Sequence, residues 1–193
     1  MARVSAQPLE SDPEVHRVGV TREQFDRMVG PDGYDSPPVE LLEGVLVEVV
    51  PQGGEHDDVV GELGQVLAQT VPAPWRVRTH SPFVAGPRSQ PEPDVAVVLR
   101  RPVAHPDTAA LVVEVAQSSQ RLDLVHEPRV YAAAGVPVYW VVDLPAREVV
   151  VLAGPVEGGY ASVERVPWSA PVTVTIEGDD LSLVLDELLA GPE

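Results

Sequence analysis

The sequence of 193 residues contains no cysteine. That excludes disulfides, zinc–thiolate centres and thiol nucleophiles, and leaves oxygen and imidazole as the only metal ligands. Lysine is also absent, all 13 basic residues being arginine, so chemistry that needs a titratable ammonium is closed to the chain. Apolar runs are short and interrupted by Pro, Gly or charge, and none approaches the roughly 20 residues that span a bilayer. The opening MARVSAQPLESDPEVHR lacks the apolar centre of a secretory leader. A cytoplasmic protein with no membrane segment is expected.

Acids are plentiful. Thirty Asp and Glu give a formal net charge of -17, a field that keeps a protein soluble and repels phosphate backbones unless arginines gather on one face. The length suits one domain with one core. Residues 1–19 mix Pro, Ser, Asp and Glu without periodicity and read as a disordered tail, leaving 20–193 as a single domain.

Thr21 and Gln24 have the spacing of a capping box, with Phe25 and Met28 as apolar contacts of a short helix that Pro31, Gly33 and Pro37-Pro38 end. Two apolar runs around Glu43-Gly44 predict a hairpin over 39–42 and 45–50. His56, Val60, Leu63 and Leu67 recur at helical spacing, predicting an amphipathic helix over 55–70 with His56 on its inward stripe. WRVRTHSPFVA follows as a strand. DVAVVL (94–99) and LVVEVA (111–116) are near-continuous β-branched runs, the pattern of central strands buried on both faces. A helix within 123–134 stops at Gly135 before another buried strand, VPVYWVVDL, so helix and strands suggest a crossover. VVVLAG, YASVERV and VTVTI give further strands, and LSLVLDELL reads as a closing amphipathic helix. The fold class is α/β or α+β, a mixed sheet with flanking helices.

Asp94 at the mouth of one apolar strand and Glu114 within the next carry the chemistry. A buried carboxylate takes up a proton or finds a cation, and two converging carboxylates suit a hard divalent metal, Mg2+ or Mn2+. The plain alternative is that Asp94 caps a strand and Glu114 lies on an exposed edge. Tyr139, Trp140 and Asp143 read as structure, Trp140 packing on a helix and Asp143 capping a strand end. No Gly-x-Ser-x-Gly elbow and no phosphate-binding glycine loop with lysine is present, which sets aside serine hydrolases and P-loop NTPases.

The order Pro93-Asp94, a spacer, then Leu111-Val112-Val113-Glu114-Val115 resembles the PD-(D/E)XK nuclease motif. Glu40-Leu41-Leu42-Glu43-Gly44, His56 opening a helix, and Gly135-Val136-Pro137-Val138-Tyr139-Trp140-Val141-Val142-Asp143 extend the likeness to the Uma-two-type restriction endonuclease family over roughly 21–155. The resemblance implies a restriction-endonuclease-like core, a central mixed sheet flanked by helices with extra short C-terminal strands, that cuts DNA with a divalent metal. It implies Asp94 and Glu114 as metal ligands, with the Val115 carbonyl as a third, and Glu40 and His56 lining the same cleft. For His56, a hydrogen bond within its own helical turn is the plain alternative.

Two departures stand out. The motif's general lysine position is Ala116, and the family's lysine, on the following helix, corresponds to Glu127. Pro128 next to it is more comfortable at a helix start and is expected to pull Glu127 out of place. Arg121 and Arg129 are the nearest stand-ins for the missing cation, and Glu127 as a third metal carboxylate is a further option. Three functions follow as expectations: a metal-dependent DNA endonuclease; a degenerate nuclease fold kept as an interaction module, for example as one half of a homodimer; and a hydrolase of smaller phosphoesters.

Overall fold

The computed structural model describes residues 18–29, 38–102 and 104–190; most of the expected N-terminal tail, and Pro31, Gly33 and Pro37, lie outside them. Thr21 caps helix α1 (Arg22–Met28) through the expected box, its hydroxyl accepting from Gln24 N–H while the Gln24 side chain accepts from Thr21 N–H. Strands β1 (Val39–Leu42) and β2 (Val45–Glu48) form the hairpin. Its two turn residues, Glu43 and Gly44, both have positive φ, 50° and 84°, the twist that a two-residue hairpin turn requires. Helix α2 (Gly54–Thr70) buries His56, Val60, Leu63 and Leu67 as one stripe.

The central sheet is six-stranded, in the order β3-β4-β5-β6-β7-β8. Its members are β3 (Trp75–Thr79), β4 (Val95–Leu99), β5 (Ala109–Ala116), β6 (Val138–Asp143), β7 (Glu148–Val156) and β8 (Gly159–Pro167). Every residue of β5 is buried. The β5–β6 pair is parallel, and between them the chain passes through a π-helical turn (Leu122–His126) and helix α3 (Glu127–Ala133). The remaining pairs in the sheet are antiparallel.

Alternation along β5 builds two cores. Leu111, Val113 and Val115 face α2, whereas Val112 and Ala116 face α3 together with Tyr131 and Tyr139. Trp140 packs into the α2-side core. Strands β7 and β8 enlarge the central sheet; only β9 (Val172–Ile176) and β10 (Asp179–Leu183) form a small separate C-terminal pair.

The expected helix over LSLVLDELL is corrected here. Leu181 and Leu183 alternate in β10 opposite Val174 and Val172, and the helix, α4 (Leu185–Ala190), starts only after them. Leucine satisfies either period, and β9 offers it a partner. Among the described residues no helix is long and apolar enough to cross a membrane.

Candidate active site

Glu114 lies on the α3-facing side of β5, deep enough to be 8% exposed. Tyr131 of α3 donates its hydroxyl to Glu114 Oε1 at 2.6 Å, and Asp94 N–H donates to Glu114 Oε2 at 3.0 Å. Asp94, just ahead of β4, is locked in return: its Oδ2 accepts from Val115 N–H at 2.8 Å and meets His56 Nε2 at 3.0 Å. The two acids are thus cross-braced: Asp94's own N–H holds Glu114, and the N–H of the residue after Glu114 holds Asp94. His56 is fully buried; its ring joins helix α2 to Asp94, and its Nδ1 lies 3.4 Å from Asp57 Oδ1. Its partners are thus one acid of its own helical turn and one across the fold. Burial opposes its charged form, but the Asp94 hydrogen bond and charge, aided by Asp57, outweigh that and raise its pKa.

Pro128 does not displace Glu127. The π-turn absorbs it: Glu127 N–H bonds to Leu122 O, five residues back, and the next bond in that register would run from residue 128 to Asp123 O. Proline has no N–H to give. Tyr139 of β6 supplies the missing donor, its hydroxyl reaching Asp123 O at 2.8 Å. Glu127 is consequently 4% exposed and points inward, its Oε2 lying 3.2 Å from the same hydroxyl. A hydroxyl has one proton. With that proton on Asp123 O, the Glu127 contact is satisfied when Glu127 itself carries a proton and donates it.

The acids open onto a cleft of about 240 Å³ whose walls include Glu40, Glu92, Asp94, Glu114, Val115, Asp123, Glu127 and His80, with Val47, Val49, Val50 and Leu122 as apolar parts. Glu40 Oε1 accepts from Glu92 N–H at 3.2 Å. His80 ends β3 with a positive φ of 43° and brings Nδ1 to 3.5 Å from Asp94 Oδ1. Among the described residues no arginine lines the cleft, and Arg121 and Arg129, expected as stand-ins for lysine, are exposed. They sit at positions of the π-turn and α3 that face solvent, so neither reaches the acids.

Crowded, buried carboxylates hold their protons. Glu114 is raised well above the ordinary range by burial, then by the charges of Glu127, Asp94 and Asp123, with the Tyr131 hydrogen bond working the other way. Glu127 is raised likewise by burial and then by Asp123 and Glu40. Burial lifts Glu40 to about 7, and burial lifts Asp123 to about 7 against the opposing hydrogen bond from Ser119 Oγ at 2.6 Å. Burial and the neighbouring acids push Tyr131 and Tyr139 well up, so both remain neutral donors.

Among the described residues, no group of three or more His, Asp or Glu side chains forms a ready metal cage. Magnesium does not need one, since it commonly keeps several waters and takes one or two carboxylates. Asp94 and Glu114 provide those two, with lone pairs beyond the hydrogen bonds they already accept. Val115 adds a carbonyl: its N–H faces β4, so its C=O does too, and continuing the Val95–Val113 register by two residues sets Pro93, which has no N–H, opposite it. An all-oxygen, cysteine-free donor set of this kind fits a hard cation.

Of the residues the sequence brought forward, Asp94, Glu114, Val115, Glu127 and Glu40 line this cleft, whereas His56, expected to line it, is buried behind Asp94 and reaches the cleft only through that carboxylate. Sequence reasoning missed the contacts of Tyr131, Glu92 and His80 and the placement of Asp123 in the cleft wall, and it read Tyr139 as structural only. The available signal was a tyrosine in an apolar run, whose hydroxyl needs a buried partner.

The sequence model of a family described as "Uma2: Putative restriction endonuclease" matches residues 22–184. No curated protein matches the chain. Among solved structures, the chain is similar to a protein from Anabaena variabilis ATCC 29413 described as a putative nuclease belonging to DUF820. The TM-score is 0.66 and identity 19%, over 89% of this chain and 98% of that one. The likeness is one of fold: the mixed sheet with flanking helices is shared with that protein.

Proposed function

From the premise that the chain belongs to the Uma2 family, described as putative restriction endonucleases, we propose that it hydrolyses DNA phosphodiesters with Mg2+ or Mn2+ held by Asp94, Glu114 and the Val115 carbonyl. The observation that carries this reading is the cross-bracing of Asp94 and Glu114, by Asp94 N–H to Glu114 and Val115 N–H to Asp94, at the floor of one cleft. When bound, the cation supplies Lewis acidity toward a phosphate oxygen and lowers the pKa of water.

The chain's own residues do the rest. His56 and Val115 N–H fix the rotamer of Asp94, and Tyr131 fixes that of Glu114, as ligands held by outer hydrogen bonds must be. Glu127 occupies the position where the family's lysine is expected. A neutral carboxylic acid there gives its one proton to the Tyr139 hydroxyl and adds no negative charge beside Glu114, whereas an ammonium would add a positive one. Glu40 and Asp123 retain protons near neutrality, which limits the negative charge facing a phosphate.

The lack of any lysine or cleft arginine favours a second reading, a nuclease fold that binds without turnover. Incubating the protein with linear and supercoiled DNA and Mg2+ or Mn2+ separates the two. Cleavage by wild type that Asp94→Ala and Glu114→Ala both abolish is the expected result. Wild-type protein leaving both substrates intact would reject the enzymatic reading.

A further inference from the structure

We infer that the outer edge of β3 and the β4–β5 connection form a DNA-backbone-binding surface, with Arg76, Arg78 and Arg100 as its phosphate contacts and His105 at its rim. The inference rests on the nuclease reading above and names where that substrate is held. Strand β3 ends the sheet, so no further strand covers it. Trp75 and Val77 turn toward the α2 core, and strand alternation sets Arg76 and Arg78 side by side on the other face.

The stripe leads away from the cleft. Pairing puts Arg78 opposite Ala96 and Arg76 opposite Val98, two and four residues along from Asp94, about 7 and 13 Å at the rise of a strand. Arg100 continues the line, its N–H bonded to Pro74 O at 3.2 Å. At the near end His80 follows β3 directly into the cleft. A groove of about 550 Å³ opens between Arg76, Arg78, Ala104 and His105.

In a chain of net charge -17, these arginines are uncompensated. Among the described residues no carboxylate pairs with Arg76, Arg78 or Arg100. Asp107, on the same connection, is taken by Arg101 at 3.1 Å. Arg76 Nη2 reaches only Arg101 O, at 3.4 Å; its Nε is buried, so the terminal nitrogens are those left to meet a phosphate. Guanidinium forks left open in a row match phosphate oxygens, and a positive row beside an acid cleft lets a polyanion approach despite the overall field.

Fluorescence anisotropy of the intact chain with labelled duplex DNA in EDTA, across about 50 to 200 mM salt, tests the surface without any divalent cation. Wild type is expected to bind, with affinity falling as salt rises. In Arg76→Gln/Arg78→Gln the salt slope should shrink by about 1.8, two phosphate contacts at about 0.9 each. Arg76→Lys/Arg78→Lys should keep the slope, and Arg121→Gln/Arg129→Gln on the other side should leave binding unchanged. An unaltered slope in the glutamine variant, no wild-type binding at the lowest salt, or equal competition by polyglutamate would each overturn the assignment. Because cleavage is not read here, the cleft's reading fails separately, by lack of metal-dependent cutting.

Discussion

Replacing Asp123 with asparagine is expected to stabilise the cation-free protein at pH 8 and to leave it nearly unchanged at pH 4. Asp123 is 5% exposed and accepts from Ser119, and its pKa stands at about 7 against an ordinary 3.8. Between those values the folded protein holds a proton that the unfolded chain has released. Stability therefore falls as pH rises through the window, and it levels off above about pH 7. At about 1.4 kcal/mol per pH unit, the whole window is worth about 4 kcal/mol, a large share of the roughly 5–15 kcal/mol that holds a domain together. Glu40, raised from 4.5 to about 7 by burial, adds a slope of the same sign. Urea unfolding in EDTA at intervals from pH 5 to 8 reads the effect. The wild-type free energy should drop by about 3 kcal/mol from this residue, and the Asp123→Asn curve should be flatter by that amount. Parallel curves for the two proteins would refute the reasoning.

Three further outcomes follow from the same geometry. Tyr139→Phe removes the hydroxyl that answers Asp123 O in place of Pro128. It should cost about 1–3 kcal/mol in thermal or urea unfolding, the penalty of an orphaned buried carbonyl. Gly44→Ala forces a Cβ onto a φ of 84° and against the Arg88 guanidinium, and should cost about 1–2 kcal/mol while leaving metal binding intact by calorimetry. Glu127→Lys restores a cation among Glu114, Asp123 and Glu40 and should raise metal-dependent DNA cleavage about tenfold or more; a fall in rate would show that this position does not serve the reaction.

How much of this was legible differed by element. Hairpin, amphipathic helix and central strands carry their own periodicity, and the acids of β4 and β5 stand out because charge inside a β-branched run demands a reason. The π-turn carries no such mark. Pro128 predicts a helix start, but that the preceding residues unwind into a wider turn and keep Glu127 inward depends on Tyr139, a strand residue twelve positions on. Leu181 and Leu183 fit helix and strand equally, and only the presence of β9 decides. The arginine row is visible only once β3 is known to be an edge, because Arg76 and Arg78 lie more than twenty residues before Arg100.

The most direct test is calorimetric titration of Mn2+ into the wild type, Asp94→Asn and Glu114→Gln near pH 7.5. These side chains differ from the originals by charge more than by shape. The account predicts saturable binding by wild type and its loss in both variants, with folding intact by circular dichroism. Equal binding in all three proteins, or none in wild type, would contradict the metal site at Asp94 and Glu114.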